Sequence, residues 1–318
     1  MGSKITWMIK IKGENRMLKF NGAKCHKQGL ERRRTLRIKY SGLKRYKLED
    51  LEKPAIKFAE TKDELEQAFA LVYQVYWEKK YITEPKEHKL YFSIYSLLPE
   101  TVHIIAKKYL TVISTMTVIF DTEEFGLPMD SIYKDEVDAL RAQNRKIVEV
   151  SSLATPREYR WRNIFLYQVQ VMFWYSLYKG VDDICITINP RHVRFYMNLF
   201  PTEKFGEEKM YPRVNAPAVA LRVKVEESIE EMIEIFNTLD METPLDYYFY
   251  LMTGTRPIKT SSIFRQDLEK IKPRPKKIDA DTIAYFLEKE PSIKEKLTPK
   301  QKEKLLKAYK GLDKKGVL

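Results

Sequence analysis

Cysteine is nearly missing from this chain: its 318 residues hold two, Cys25 and Cys185. They lie far apart and outside any CxxC spacing. That excludes a disulfide framework and a cysteine-rich zinc site, and it fits a reducing compartment, so the expected location is cytoplasmic. Histidine is also scarce. His26, His88, His103 and His192 are scattered, with no HExxH or other paired spacing, so no metal site is expected. No GxSxG elbow supports a serine hydrolase. No GxGxxG or GxxxxGK[ST] loop supports a dinucleotide or nucleoside triphosphate fold. No run of eighteen apolar residues is present, so no membrane-spanning helix is expected. The opening "ITWMIKIKG" is too short and too charged for a secretory signal. Internal repeats and low-complexity tracts are absent as well.

What the chain does have is enough apolar residue for a packed core, 44% of the total, and an uneven charge. The net charge is +13, with +11 in residues 1–53 and +8 in residues 258–318, which leaves −6 for the middle. Basic flanks around an acidic centre suggest contact with something anionic: an acidic protein, a membrane surface or nucleic acid. A merely solubilising surface accounts for the same charge.

Residues 1–53 show short β-like alternation around Arg32, Arg33 and Arg34 and form no complete module; their function stays unassigned. Pro54 marks a boundary. Thr61 and Glu64 make a capping-box pattern, and Leu65, Ala68, Phe69, Val72 and Tyr76 then recur at helical spacing. Two β-branched runs, 102–107 and 109–120, read as paired strands. Gly126 and Pro128 break the chain, and Asp130 is placed to cap a helix from Ser131 to about Gln143. A strand over 146–155, an aromatic helix over 163–179, a strand in "DDICITI", a helix opened by Pro190 and a last strand in "AVALRVKV" follow. Strands alternating with helices point to an α/β fold, a mixed central sheet with helices on its faces, over residues 54–225. Residues 226–318 read as a basic helical region.

Three features carry chemistry. Glu149 is a lone carboxylate in the apolar run "IVEVSSLA". Strict alternation puts Ile147, Glu149, Ser151 and Leu153 on one face and Val148, Val150, Ser152 and Ala154 on the other. Burial on a central strand would raise its pKa toward the range of a general base; an edge strand would leave it in water. Arg157, Arg160 and Arg162 lie between a strand end and a helix start, a junction that favours anions. A solvated basic turn explains them equally well. Tyr196, on the helix after "ITINP", is positioned to donate a proton to a leaving group, although a core tyrosine is the commoner explanation.

The blocks "FGLPMD", "EVDALR", "EVSSLA", "NPRHVRFY" and "YPRVNAPAVALRV", in this order over about residues 55–225, resemble the long-chain N-acyl amino acid synthases. These are relatives of the acyl-homoserine-lactone autoinducer synthases within the GNAT acyltransferase superfamily. The resemblance implies a GNAT-like fold and transfer of an acyl group from a thioester, usually on acyl carrier protein, to the amine of an amino acid or similar small molecule. No tightly bound cofactor is implied, since the acyl-phosphopantetheine, on carrier protein or coenzyme A, is a substrate.

Glu149 and Ser151 match the Glu and Ser of the autoinducer synthases' Glu-x-Ser-Arg motif, but Ser152 stands where those enzymes carry Arg. That departure argues against a homoserine-lactone product. Tyr196 matches the GNAT tyrosine that faces the leaving thiolate. The usual Gly-rich coenzyme A loop is replaced by "REYRWRN", which tilts the donor toward a carrier protein. On this reading backbone N–H groups from Leu153 to Thr155 face the oxyanion, and Arg157, Arg160 and Arg162 bind the donor phosphate. Phe165, Val169, Met172 and Phe173 wall an acyl channel, positions that ordinary core packing would also fill. The alternatives are an acetyl-CoA-dependent N-acetyltransferase and a non-enzymatic binding protein. Nucleic acid binding lacks any RRM, KH or zinc-finger signature, whereas peripheral membrane contact through the basic flanks fits the charge.

Overall fold

The structure, a computed structural model, describes residues 6–11, 14–19, 54–162, 164–228 and 275–318. Strands β1 (Thr6–Ile11) and β2 (Glu14–Lys19) form an antiparallel ribbon. The other seven strands form one sheet: β3 (Ala55–Phe58), β4 (Val102–Lys108), β5 (Thr111–Phe120), β6 (Ile147–Ala154), β7 (Asp183–Ile188), β8 (Glu203–Tyr211) and β9 (Ala216–Lys224). Their order is β3-β4-β5-β6-β7-β9-β8, and every neighbouring pair is antiparallel except β6–β7. The expected mixed α/β sheet is therefore present.

Sequence alternation divides the core between the two faces. On one, Ile104, Met116, Val118, Val148 and Val150 pack under α3 (Ile164–Tyr178), whose Val169, Met172 and Phe173 face them. On the other, Ile119, Ile147, Cys185 and Ala220 pack under α2 (Asp130–Arg141). On that side Ile105, Val112 and Ala154 meet α1 (Lys62–Glu78). The expected channel residues Phe165, Val169, Met172 and Phe173 all belong to the first cluster or pack against it.

Residues 275–318 are helical and pack into the same core as α1. Beyond α4 (Val193–Leu199), helices α5 (Ala280–Lys289), α6 (Pro291–Glu295) and α7 (Pro299–Ala308) bring Phe286 edge-on to Phe69 and Phe92, at 5.0 and 5.3 Å between ring centroids. Tyr309 Oη donates to the Leu97 carbonyl at 2.7 Å. Part of the basic charge of this region is answered within the chain: Lys300 pairs with Glu123 and Lys304 with Glu124.

Two expectations at helix starts need correction. Thr61 Oγ1 accepts from the Glu64 N–H, but Glu64 does not complete the box. Its carboxylate accepts from the Glu60 N–H and pairs with Lys57 and Lys107, because burial leaves it more in need of cations than of one more amide. Asp130 is the first residue of α2, not its cap; its Oδ2 accepts from the Leu127 N–H and from Arg141. Gly126 makes this turn feasible. Its φ is +62°, and a Cβ there would sit 2.2 Å from Asp130 Oδ2. Strands β3 and β8, at the two edges of the sheet, are additions to the sequence reading.

Candidate active site

Glu149 lies in the centre of the sheet, on β6 between β5 and β7, and is 2% exposed. Its Oε2 accepts one hydrogen bond, from the Met129 N–H at 2.8 Å. That amide belongs to the residue preceding α2, so the carboxylate occupies the helix start left open when Asp130 turned away. Burial pushes its pKa from 4.5 up to about 8, and only in part do the Met129 amide and the charge of Arg213 oppose that rise. A group so tuned exchanges its proton near neutral pH.

The strand parts from its parallel neighbour just beyond this residue. The β6–β7 register ends at Val150↔Ile186, while β6 continues to Ala154 and β7 to Ile188. Ser152, at φ +51°, forms a bulge: Thr117 faces Ser151 and Thr115 faces Ala154. The extra residue breaks strict alternation. Leu153, expected beside Glu149, instead joins Val150 on the α3 side, and Ala154 turns to the α1 side. Beyond the bulge the chain is held firmly. Thr155 Oγ1 hydrogen-bonds Ser114 Oγ at 2.7 Å, Ser114 donates to Gln168, and Gln168 donates to the Ile104 carbonyl.

The parting opens a cleft of about 370 Å³, with Glu149, Ser151, Ser152, Leu153 and Thr155 on one wall and Ile186 to Asn189 on the other. An apolar pocket of about 50 Å³ adjoins it, lined by Phe165, Val169, Met172 and Phe173. Val150, Leu153, Phe165, Ile186 and Tyr196 border both spaces. Tyr196 packs edge-on against Phe165 and Phe195, at 5.9 and 5.4 Å, and burial holds its hydroxyl above the usual phenol range.

Cations gather at the cleft mouth. Arg160 lines it and donates Nε to the Thr155 carbonyl at 3.0 Å. Burial, with the charges of Arg160 and Arg191, holds the Lys79 ammonium below its usual range. Burial, with Arg191, Lys79 and Arg160, does the same to His192. Mutual depression is what gathered cations produce, and at Lys79 the charge of Glu78 opposes it only in part.

The sequence had singled out Arg160 here but not Lys79 or Arg191; the latter sits in the quoted "NPRHVRFY" block, the only signal for it. Arg157 opens the 3-10 turn Arg157–Arg162 and is not among the residues lining the cleft. The Arg162 side chain falls outside what the structure describes. Among the described residues no group of three or more His, Cys, Asp or Glu is arranged to hold a metal. No described helix is long and apolar enough to cross a membrane.

A buried, raised carboxylate at a strand parting, beside an apolar pocket and a basic mouth, belongs to an acyltransferase with a GNAT-like fold. Residues 67–224 match the sequence model of the family described as N-acyl amino acid synthase FeeM. No curated protein sequence matches it. Among solved structures, FeeM, an N-acyl amino acid synthase from uncultured soil microbes, is 26% identical. It covers 56% of this chain and 93% of its own, with a TM-score of 0.49. BjaI, a CoA-dependent acyl-homoserine lactone synthase, is 15% identical over 73% of this chain and 98% of its own, with a TM-score of 0.46. The acyl-homoserine lactone synthase LasI is 14% identical over 65% and 98%, also with a TM-score of 0.46.

Proposed function

We propose that the protein transfers a long-chain acyl group from the phosphopantetheine thioester of an acyl carrier protein to the amine of an amino acid or similar small acceptor. The observation that carries this reading is Glu149, buried at the base of a cleft that continues into an apolar pocket. The acceptor nitrogen attacks the thioester carbonyl. A C–N bond forms, the C–S bond breaks, and the amine's proton passes to Glu149, directly or through water. Tyr196 gives its hydroxyl proton to the departing thiolate. Backbone N–H groups between Leu153 and Thr155, on the wall where β6 has left β7, face the carbonyl oxygen as it gains charge. Lys79, Arg160 and Arg191 hold the donor phosphate at the mouth.

The second reading is a short acyl group delivered on coenzyme A. It is favoured by the pocket's volume of about 50 Å³, room for only a few water-sized groups, so a long chain requires side chains such as Phe165 or Phe200 to move. Initial rates with acetyl to hexadecanoyl thioesters, each on carrier protein and on coenzyme A, decide between them. The carrier-protein reading expects faster turnover of the long carrier-bound thioesters and a rate that falls from 0.1 to 1 M salt, as the Debye length shrinks from about 10 to about 3 Å. Faster, salt-independent turnover of acetyl-CoA selects the alternative.

A further inference from the structure

Five large hydrophobic side chains stand exposed among the described residues, and three of them, Trp77, Tyr178 and Met210, are scattered singly. Scattered exposure of that kind is ordinary. Tyr109 and Leu110 are different. They are consecutive, 76% and 80% exposed, and they form the two-residue turn between β4 and β5, where Lys108 pairs with Thr111. Two-residue hairpins ordinarily place Gly, Asn or Asp at a residue of positive φ. Here that residue is Tyr109, at φ +53°. A bulky side chain is kept where the backbone disfavours one, and it is kept in water.

The tip is also braced. Gln67 of α1 donates Nε2 to the Leu110 carbonyl at 3.1 Å and accepts from the Val112 N–H at 2.9 Å, while Asp63 accepts from the same Nε2 at 2.8 Å. The backbone of the turn is thus held while its two side chains project. A convex apolar pair on a fixed support suits entry into a soft apolar medium.

Its place in the fold adds charge. Thr115, four residues past Thr111, pairs with Ala154, so the tip stands at the end of the sheet where β6 has left β7 and the cleft opens. Arg157, Glu158 and Arg160 are exposed on the 3-10 turn at that end, and Tyr159 of the same turn packs against Ala106 and Ile113, on the two strands that lead to the tip. The segment 1–53, of net charge +11, joins the described fold at Pro54, and Ala55 pairs with Lys107, two residues before Tyr109. Of the carboxylates nearby, Glu64 is answered by Lys57 and Lys107.

We propose that the β4–β5 tip is a membrane-contact site: Tyr109 and Leu110 enter the interfacial layer of a bilayer with anionic headgroups, and the cations that converge on this end of the sheet hold the surface. Tyrosine suits that depth, with its ring at the acyl boundary and its hydroxyl in water. An apolar pair alone binds weakly, and basic charge alone is released by salt; the two together make a reversible anchor. This goes beyond the acyl-transfer reading and does not need it, but it gives that reading an exit. A long-chain acyl amide, which water holds poorly, leaves the cleft beside the lipid.

The test is co-sedimentation of the full chain with vesicles of phosphatidylcholine and phosphatidylglycerol in equal parts. The wild type is expected to bind them, and to bind vesicles of phosphatidylcholine alone less. The double variant Tyr109→Asn, Leu110→Ser suits the positive φ and removes the apolar tip. It is expected to keep the wild-type circular dichroism and melting point and to bind more weakly by on the order of tenfold or more. Leu110→Trp, which keeps the tip apolar, should bind as the wild type does. No binding by the wild type overturns the proposal. Undiminished binding by the double variant overturns it too, since the basic flanks then suffice. A double variant that binds vesicles normally but shows a raised KM for a carrier-bound donor, or that abolishes a dimer found in the wild type, assigns the tip to a protein partner and also overturns it. Acyl-transfer rates on soluble substrates without vesicles are expected to match in the two proteins, so loss of that activity and loss of this contact are read separately.

Discussion

Among the described residues two glutamates are buried, and they are opposites. At the β3–α1 corner Glu64 is 3% exposed, with Lys57 and Lys107 at 3.1 and 2.9 Å and the Glu60 N–H at 3.0 Å. Burial alone would raise its pKa; the Glu60 amide and the two lysines outweigh it and hold it at about 2. In mid-sheet Glu149 is as buried, yet it has one amide and a more distant arginine, and it rises to about 8. Burial is common to both, so it does not mark a reactive group. What differs is whether the surroundings answer the charge: Glu64 is a fixed ion that ties β3 and β4 to α1, whereas Glu149 is left able to change state.

The sharpest way to break this contrast is Glu149→Gln. It is expected to fold and to lose on the order of a hundredfold or more in turnover, measured as initial acyl-transfer rate on protein whose circular dichroism matches wild type. Full activity in such a protein removes Glu149 from the chemistry. Glu64→Gln should do the reverse. Leaving Lys107 without its anion and Lys57 with Glu60 alone costs about 3 kcal/mol in urea unfolding, with turnover unchanged below the new melting point. A rate loss as large as that of Glu149→Gln would erase the distinction.

Smaller, and opposite in sign, are the pH slopes. Between pH 4.5 and 8 folded Glu149 keeps a proton that the unfolded chain releases, so its contribution is full below 4.5 and lost as pH rises through 8. Glu64 contributes fully above 4.5 and loses its contribution as pH falls toward 2. Each slope approaches about 1.4 kcal/mol per pH unit, and each should vanish in its own Gln variant when denaturant midpoints are measured across pH. The smallest effect is expected at the exposed mouth: Arg160→Ala should raise the donor KM by about three- to tenfold and leave the acceptor KM alone.

Much of this arrangement was legible beforehand. The run "IVEVSSLA" carries its burial in its composition, and the helical spacing of Leu65, Ala68, Phe69 and Val72 is the face that α1 buries. What escaped did so for physical reasons. Strand β8 lies at the sheet edge, where Glu203, Lys204, Glu207, Glu208 and Lys209 guard unpaired backbone and erase the apolar alternation that reveals a strand. The bulge at Ser152 left no trace, because its left-handed backbone is imposed by pairing to β5, and serine does not announce it. Arg213 stood in a quoted block, but that its guanidinium lies over the Tyr95 ring is a property of three dimensions.

The packing of Phe286 on Phe69 and Phe92 has a consequence for how the protein is made. The bond from Tyr309 to Leu97 joins residues 212 apart in the chain. At roughly 5–20 residues per second of translation, that separation is about 10–40 s on the ribosome. For that time the side of α1 that receives Phe286 emerges without its cover, long after its own helix can form. Nascent chains are therefore exposed to holdase chaperones and to one another through this surface. A stalled or shortened product ending before residue 283 should aggregate through α1 even though every residue of the cleft has already been synthesised.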